Sequence, residues 1–341
     1  MFFKQFYDNN LSQASYLVGC QRTGEAIIID PVRDLTKYME VADSEGFTIT
    51  QAAETHIHAD FASGIRDVAE QLNANVYVSG EGDDELSYRN MPEQTHFVKH
   101  QDIIHVGNIK LEVLHTPGHT PESISFLLTD EGGGSSVPMG LFSGDFVFVG
   151  DIGRPDLLEK SVQMEGSTEV SAKQMYQSIE SVKDLPDYIQ IWPGHGAGSP
   201  CGKALGAVPM STLGYEKINN WAFNVTDESK FVETLTSNQP APPHHFAQMK
   251  KINQFGMNMY QPYDVFPSLD NARIAFDLRS KEAFHGGHTE GTINIPYNQN
   301  FINQIGWYLD YENSIDLIGD KSTVEQAAHT CLLYTSDAAD E

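Results

Sequence analysis

Thr55-His56-Ile57-His58-Ala59-Asp60-Phe61 is the stretch on which the fold turns. It follows Thr48 to Thr55, an apolar run that reads as a strand and delivers His56 at its tip. Three later segments repeat the arrangement: His115-Thr116-Pro117-Gly118-His119-Thr120, Ser143-Gly144-Asp145 and Pro193-Gly194-His195-Gly196. Each comes where a strand stops and a loop begins, the usual place for chemistry on a rigid scaffold. Imidazoles and carboxylates spread over about 140 residues can therefore converge at one sheet edge, as metal ligands must.

Outward from these motifs, residues 1–200 alternate short apolar strands with amphipathic helices. Ala14 to Cys20 and Glu25 to Asp30 read as strands, the second carrying an Ala26-Ile27-Ile28-Ile29 run suited to burial on both faces. Asp34 is placed to cap a helix that Gly46 ends. Ile65, Val68, Ala69 and Leu72 share one helical face, and Asn75 to Ser79 returns to the sheet. Residues 102–114 read as a hairpin turning at Gly107-Asn108. Ser123 to Leu128, Gly140 to Val149 and Ile189 to Trp192 complete the strands, with a Gly-rich loop at residues 131–136.

Composition narrows the function. The chain has 341 residues, 40% hydrophobic, enough for more than one domain. Its 47 acidic against 21 basic residues, a formal charge of -26, argue against a nucleic-acid partner, which needs clustered Lys and Arg. Cys20, Cys201 and Cys331 are too few for a disulfide framework. With no secretory leader in Met1-Phe2-Phe3-Lys4-Gln5 and no apolar run near the about 20 residues that cross a bilayer, a cytoplasmic protein without membrane contact is expected.

The four motifs, in this order, resemble the metallo-β-lactamase superfamily over residues 1 to about 235. The fold class implied is α/β, a four-layer αββα sandwich. Binuclear hydrolases of that superfamily usually carry a histidine after the Asp60 position, and this chain has Phe61. A phenyl ring cannot ligate, which weakens a second metal site. The sequence then resembles the iron persulfide dioxygenase branch, whose metal ligands correspond here to His56, His119 and Asp145. That likeness implies one Fe(II) per chain, small-molecule thiol persulfide and O2 as partners, and sulfite and thiol as products, in sulfide detoxification. Two imidazoles and a carboxylate leave open positions on an octahedral ion, the arrangement of non-heme iron oxygenases.

His58, Asp60 and His195 are expected to stand behind the ligands, orienting them or handling protons, or else to be relics of a two-metal ancestor. Arg154, in Asp151-Ile152-Gly153-Arg154-Pro155-Asp156, is expected to bind the anionic substrate or to brace the site through Asp156, with a surface ion pair as the bland alternative. Cys201 lies six residues past His195 and is a candidate persulfide carrier whose thiolate Lys203 would favour; a passive small residue competes. Cys20 reads as core. A hydroxyacylglutathione hydrolase-like zinc thioesterase and a Cys201-based sulfur carrier or sensor are the rival functions. Glutathione, coenzyme A and bacillithiol all stay open as the thiol.

Beyond residue 235 the texture changes. Residues 236–262 read as a Pro-rich linker around Pro240-Ala241-Pro242-Pro243, with His244 and His245 as surface residues. Residues 263–320 resemble a rhodanese domain through Asp277-Leu278-Arg279-Ser280 and Gly287-His288-Thr289-Glu290-Gly291, followed by Asn294-Ile295-Pro296. The strand Ser314 to Ile318 runs into Gly319-Asp320 without the nucleophilic cysteine such domains use, so an inactive, partial rhodanese-like α/β domain is expected. Residues 321–341 read as a truncated or foreign tail that fits no expected helix. Longer relatives couple the oxidation to sulfur transfer giving thiosulfate. A homo-oligomer is the default expectation.

Overall fold

Ile109-Lys110-Leu111-Glu112-Val113 alternates apolar and polar side chains, and in the computed structural model it forms a strand that buries alternate residues. The structure describes residues 1–82, 86–157, 159, 166–203, 205–243, 245–257, 274–298, 300–309 and 315–335. Two six-stranded sheets carry the first part of the chain. The first has the order β1 (Phe2–Asp8), β2 (Gln13–Gly19), β3 (Glu25–Ile29), β4 (Thr48–Ala53), β5 (Asn75–Ser79), β6 (Thr95–Val98). β1, β2 and β3 pair antiparallel, whereas β3 to β6 run parallel. Parallel neighbours need crossovers, supplied between β3 and β4 by α1 (Thr36–Glu45) and between β4 and β5 by α2 (Ile65–Leu72).

The second sheet comprises β7 (Ile103–Val106), β8 (Ile109–His115), β9 (Ile124–Asp130), β10 (Gly140–Gly144), β11 (Gln190–Pro193) and β12 (Ser211–Thr212), ordered β12-β11-β10-β9-β8-β7. Its β10-β11 pair is parallel, crossing over through α3 (Ser167–Val182). Side chains of the two sheets share one core, Val18, Ile27 and Ile29 meeting Leu111, Val113, Phe126 and Phe142. The outer face of the first sheet packs on Tyr38, Ala42, Val68 and Ala69 of α1 and α2. The outer face of the second packs on Ala172, Met175 and Ile179 of α3. Four layers, helix, sheet, sheet and helix, follow.

The expected strand Gly140 to Val149 stops at Gly144, where φ is +50° and the chain turns sharply enough to present Asp145. At that edge the sheets are sewn together by backbone: Ile124 N–H donates to Thr55 O (2.8 Å) and Ala14 N–H to Gly194 O (2.8 Å).

Three helices follow β12: α4 (Leu213–Asn219), α5 (Trp221–Asn224) and α6 (Glu228–Thr236). The stretch read as a Pro-rich linker then departs from expectation, since Phe246–Phe255 is a helix, α7. Its buried positions are Phe246, Met249, Lys250, Asn253 and Gln254, and three of them are polar, which hides the face from an apolar-periodicity reading. His245, expected at the surface, is buried and packs against Gly306, where a side chain would collide with its ring. His244 and the boundary at residues 262–263 lie outside the described residues.

A three-stranded parallel sheet of order β14 (Ile293–Asn294), β13 (Ile274–Asp277), β15 (Ile315–Ile318) follows, with α8 (Lys281–Gly286) and α9 (Phe301–Ile305). Within the stretch read as a tail that fits no expected helix, Lys321–Thr335 does form a helix, α10, which buries Ala327 and Cys331 and begins where Asp320 Oδ1 accepts Thr323 N–H (3.1 Å). Among the described residues no helix is long and apolar enough to cross a membrane.

Candidate metal centre

Asp30 ends β3 with φ at +51°, an uncommon backbone for aspartate, and its carboxylate reaches the next strand. Asp30 Oδ1 accepts Thr55 N–H (2.7 Å) and Oδ2 accepts the Thr55 hydroxyl (2.9 Å). With its proton given to Asp30, Thr55 Oγ1 is left to accept from His56 Nδ1 at 3.0 Å. The Nε2 lone pair of His56 then points inward. The same logic sets two further imidazoles: His119 Nδ1 donates to Arg154 O (2.9 Å) and His195 Nδ1 to Ser12 O (3.1 Å). Fixing the tautomer through the outer nitrogen is how metal-binding histidines are prepared.

His56, His119 and Asp145 come together, each offering one ligand atom within 4.8 Å of the others, and all three are buried. Asp145 Oδ2 lies 3.4 Å from His119 Nε2 and 3.8 Å from His56 Nε2. Burial, together with the neighbouring histidines, holds His56 well below the ordinary imidazole range. Burial lowers His119 as well, so both rings are neutral and able to ligate. Among the described residues, His56 Nε2 and both Asp145 oxygens have no hydrogen-bond partner. Buried polar atoms left so are costly, and a cation satisfies them together; the residues fit a metal ion.

His58 is turned elsewhere. Its Nε2 lies 3.3 Å from Asp30 Oδ1 and 3.9 Å from Glu54 Oε1. Burial would lower its pKa, but Asp30, Glu54 and Asp60 outweigh that and push it up to about 9. Phe61 stacks on it with centroids 4.5 Å apart and is fully buried.

Asp60, His195 and Cys201 form a second buried group with the same mutual spacing. His195 Nε2 is 3.3 Å from Asp60 Oδ2 and 3.5 Å from Asp145 Oδ1, so Asp145 faces both groups. Cys201 is 1% exposed, and burial with the charges of Asp145 and Asp60 pushes its thiol well up. That corrects the expectation of a thiolate favoured by Lys203, whose ammonium instead donates to the carbonyls of Thr234 and Ser237. A thiol so enclosed is not an exposed carrier.

Of the two expectations for Arg154, the brace through Asp156 is what the structure shows. Arg154 is fully buried rather than poised for substrate, and its guanidinium is spent: Nε and Nη2 grip Asp156 at 2.7 and 2.8 Å, Nη1 donates to Pro200 O and Nη2 to Pro240 O. It therefore ties the His119 carbonyl partner, the Cys201 loop and the chain entering α7 into one piece. Beside it Gly153 admits no side chain, since a Cβ would sit 1.9 Å from Asp145 O.

The sequence reading missed Asp30, Glu54, Glu122, Lys250 and Asn253. Asn253 of α7 donates to His58 O (2.8 Å) and Phe61 O (2.7 Å) and accepts Ser63 N–H (2.9 Å), clamping the loop after the first ligand. Glu122 Oε1 accepts Ile57 N–H at 3.1 Å. Only Asp30 carried a signal, an acidic residue directly after a buried apolar strand.

Residues 8–195 match the family described as the Metallo-beta-lactamase superfamily. The chain is similar to a metallo-beta-lactamase from Staphylococcus aureus subsp. aureus COL known from a crystal structure, with 72% identity, 99% of this chain and 98% of that chain covered, and a TM-score of 0.92. ETHE1 from Myxococcus xanthus superposes with a TM-score of 0.60 at 27% identity, over 74% of this chain and 98% of that one. A hydroxyacylglutathione hydrolase of Dictyostelium discoideum is 29% identical over 252 residues, 72% of this chain and 82% of that protein.

Proposed function

This chain belongs to the metallo-beta-lactamase superfamily, and from that premise we propose that it is a mononuclear non-heme iron(II) dioxygenase of low-molecular-weight thiol persulfides. The balanced reaction is RSSH + O2 + H2O giving RSH, sulfite and two protons. His56, His119 and Asp145 would hold the single ion, which supplies open coordination positions where oxygen and sulfur meet. The observation that carries the reading is the place of His58: its Nε2 faces Asp30 and Glu54 at 3.3 and 3.9 Å rather than the His56, His119 and Asp145 group, and Phe61, which cannot ligate, stacks on its ring. His56, His119 and Asp145 then form one group, with Asp60 and His195 beside it. The likeness to ETHE1 supports the same reading.

The surrounding residues orient and neutralise. Thr55 and the Arg154 carbonyl hold the two ligand rings in the required tautomer. The apolar cluster of Ala59, Phe148, Leu157, Cys201 and Phe246 keeps water from one side of the site. We further propose that the small parallel sheet is a rhodanese-like unit without sulfur-transfer activity. β15 leads through Gly319-Asp320 into α10 with no cysteine, and Cys331 is buried.

A second reading rests on the Asp60, His195 and Cys201 group, which with Asp145 Oδ1 offers ligands to another cation. In that case the chain is a zinc thioesterase, as the relationship to hydroxyacylglutathione hydrolase suggests. Metal analysis of the purified protein together with oxygen uptake on glutathione persulfide decides. One iron per chain with uptake and sulfite formation is expected, and His119→Ala abolishes iron and uptake together. Two zinc ions with thioester cleavage and no uptake would overturn the dioxygenase.

A further inference from the structure

Cys201 has its main chain held on both sides. Its N–H donates to Ser199 Oγ (3.1 Å), its carbonyl accepts Arg154 N–H (3.0 Å), and Arg154 Nη1 donates to the preceding carbonyl, Pro200 O (3.2 Å). The Arg154 brace thus fixes a sulfur as well as the carbonyl behind His119. Cys201, His195 and Asp60 each offer one ligand atom within 4.8 Å of the others, and all three are buried.

The polar atoms that meet the sulfur are unfilled. Among the described residues, both Asp60 oxygens, His195 Nε2 and Asp145 Oδ1 are buried without a hydrogen-bond partner. His195 Nε2 lies 3.3 Å from Asp60 Oδ2 and 3.5 Å from Asp145 Oδ1, so these atoms converge. Gly194 keeps the space beside Asp145 Oδ1 clear, since a Cβ there would sit 2.7 Å from it. Two carboxylates and an imidazole nitrogen left so out of water are costly, and one cation satisfies them together. The sulfur decides which cation: the His56, His119 and Asp145 group offers only nitrogen and oxygen, whereas a thiolate selects soft ions.

We propose that Asp60, His195 and Cys201, with Asp145 Oδ1, form a second site for a thiophilic divalent cation, filled beside the iron rather than in its place. Binding exchanges the Cys201 S–H bond for a sulfur–metal bond and releases the proton to solvent; nothing is oxidised. Asp145 serves the two sites through different oxygens, Oδ2 toward His56 and His119 and Oδ1 toward His195. The site stands independently of the reaction assigned to the iron.

Titration of cadmium chloride into the iron-loaded protein tests this, read by thiolate-to-cadmium charge-transfer absorption and by the cadmium and iron retained after gel filtration. One cadmium per chain is expected, with the absorption present and the iron kept, and excess magnesium chloride does not compete. Cys201→Ser removes the absorption. Asp60→Asn keeps it but weakens cadmium binding at least about tenfold, and serves if Cys201→Ser lacks the parent's near-ultraviolet circular dichroism. His119→Ala, which loses iron, still shows the absorption. No absorption in the parent, absorption that survives Cys201→Ser, or cadmium that displaces iron one for one overturns the proposal. Absorption that needs Cys201 without oxygen uptake on persulfide removes the dioxygenase and leaves the soft site standing. Oxygen uptake without the absorption does the reverse.

Discussion

His56, His119 and Asp145, the ligands implied by the resemblance to the iron persulfide dioxygenase branch, lie together in the structure, and their motifs stood out because each sits at a strand end. Arg154 was legible only in its Asp156 brace, since its bonds to Pro200 and Pro240 join segments distant in the chain and brought near only by folding. Its burial gives a prediction that separates bracing from substrate binding. Arg154→Ala takes the guanidinium from the buried Asp156 carboxylate and should cost about 3–5 kcal/mol in urea unfolding, as for a broken buried pair. Arg154→Lys recovers only part of this, lacking the two-pronged geometry. A raised KM with unchanged stability would restore the substrate-binding expectation. Glu122 was illegible for a related reason: its partner, Ile57 N–H, lies 65 residues away in the chain.

Most strands were legible, because alternation along β8 and the apolar run of β3 record which faces are buried. β1 and β6 were not, since β1 is only half buried and β6 is largely exposed, so neither writes a periodic pattern. α7 was missed through its polar contacts, and those contacts define what it does. Asn253→Ala leaves His58 O, Phe61 O and Ser63 N–H without their partner. We expect metal affinity to fall by about ten- to a hundredfold in chelator competition, the usual cost of losing a group behind a ligand. Unchanged affinity would reduce α7 to packing alone.

Over the whole molecule, the layer order followed from the motifs, whereas the seam between the sheets did not. One sheet supplies His56, and the other supplies His119, Asp145 and His195. A bound ion therefore joins the layers, and its binding energy adds to folding energy. At a hundredfold excess over Kd the gain is about 2.7 kcal/mol. Stripping the metal with a chelator should lower Tm by several degrees, and His119→Ala should show no such response to added iron(II). The clamp on the ligand loop also has a consequence for biosynthesis. Asn253 follows the last of these metal-facing residues, His195, by a long stretch of chain, so ribosomes finish every ligand before the residue that locks the first of them appears. A nascent chain halted before α7 would hold the ion weakly, and tight metal capture is thereby postponed until translation has passed the whole sandwich.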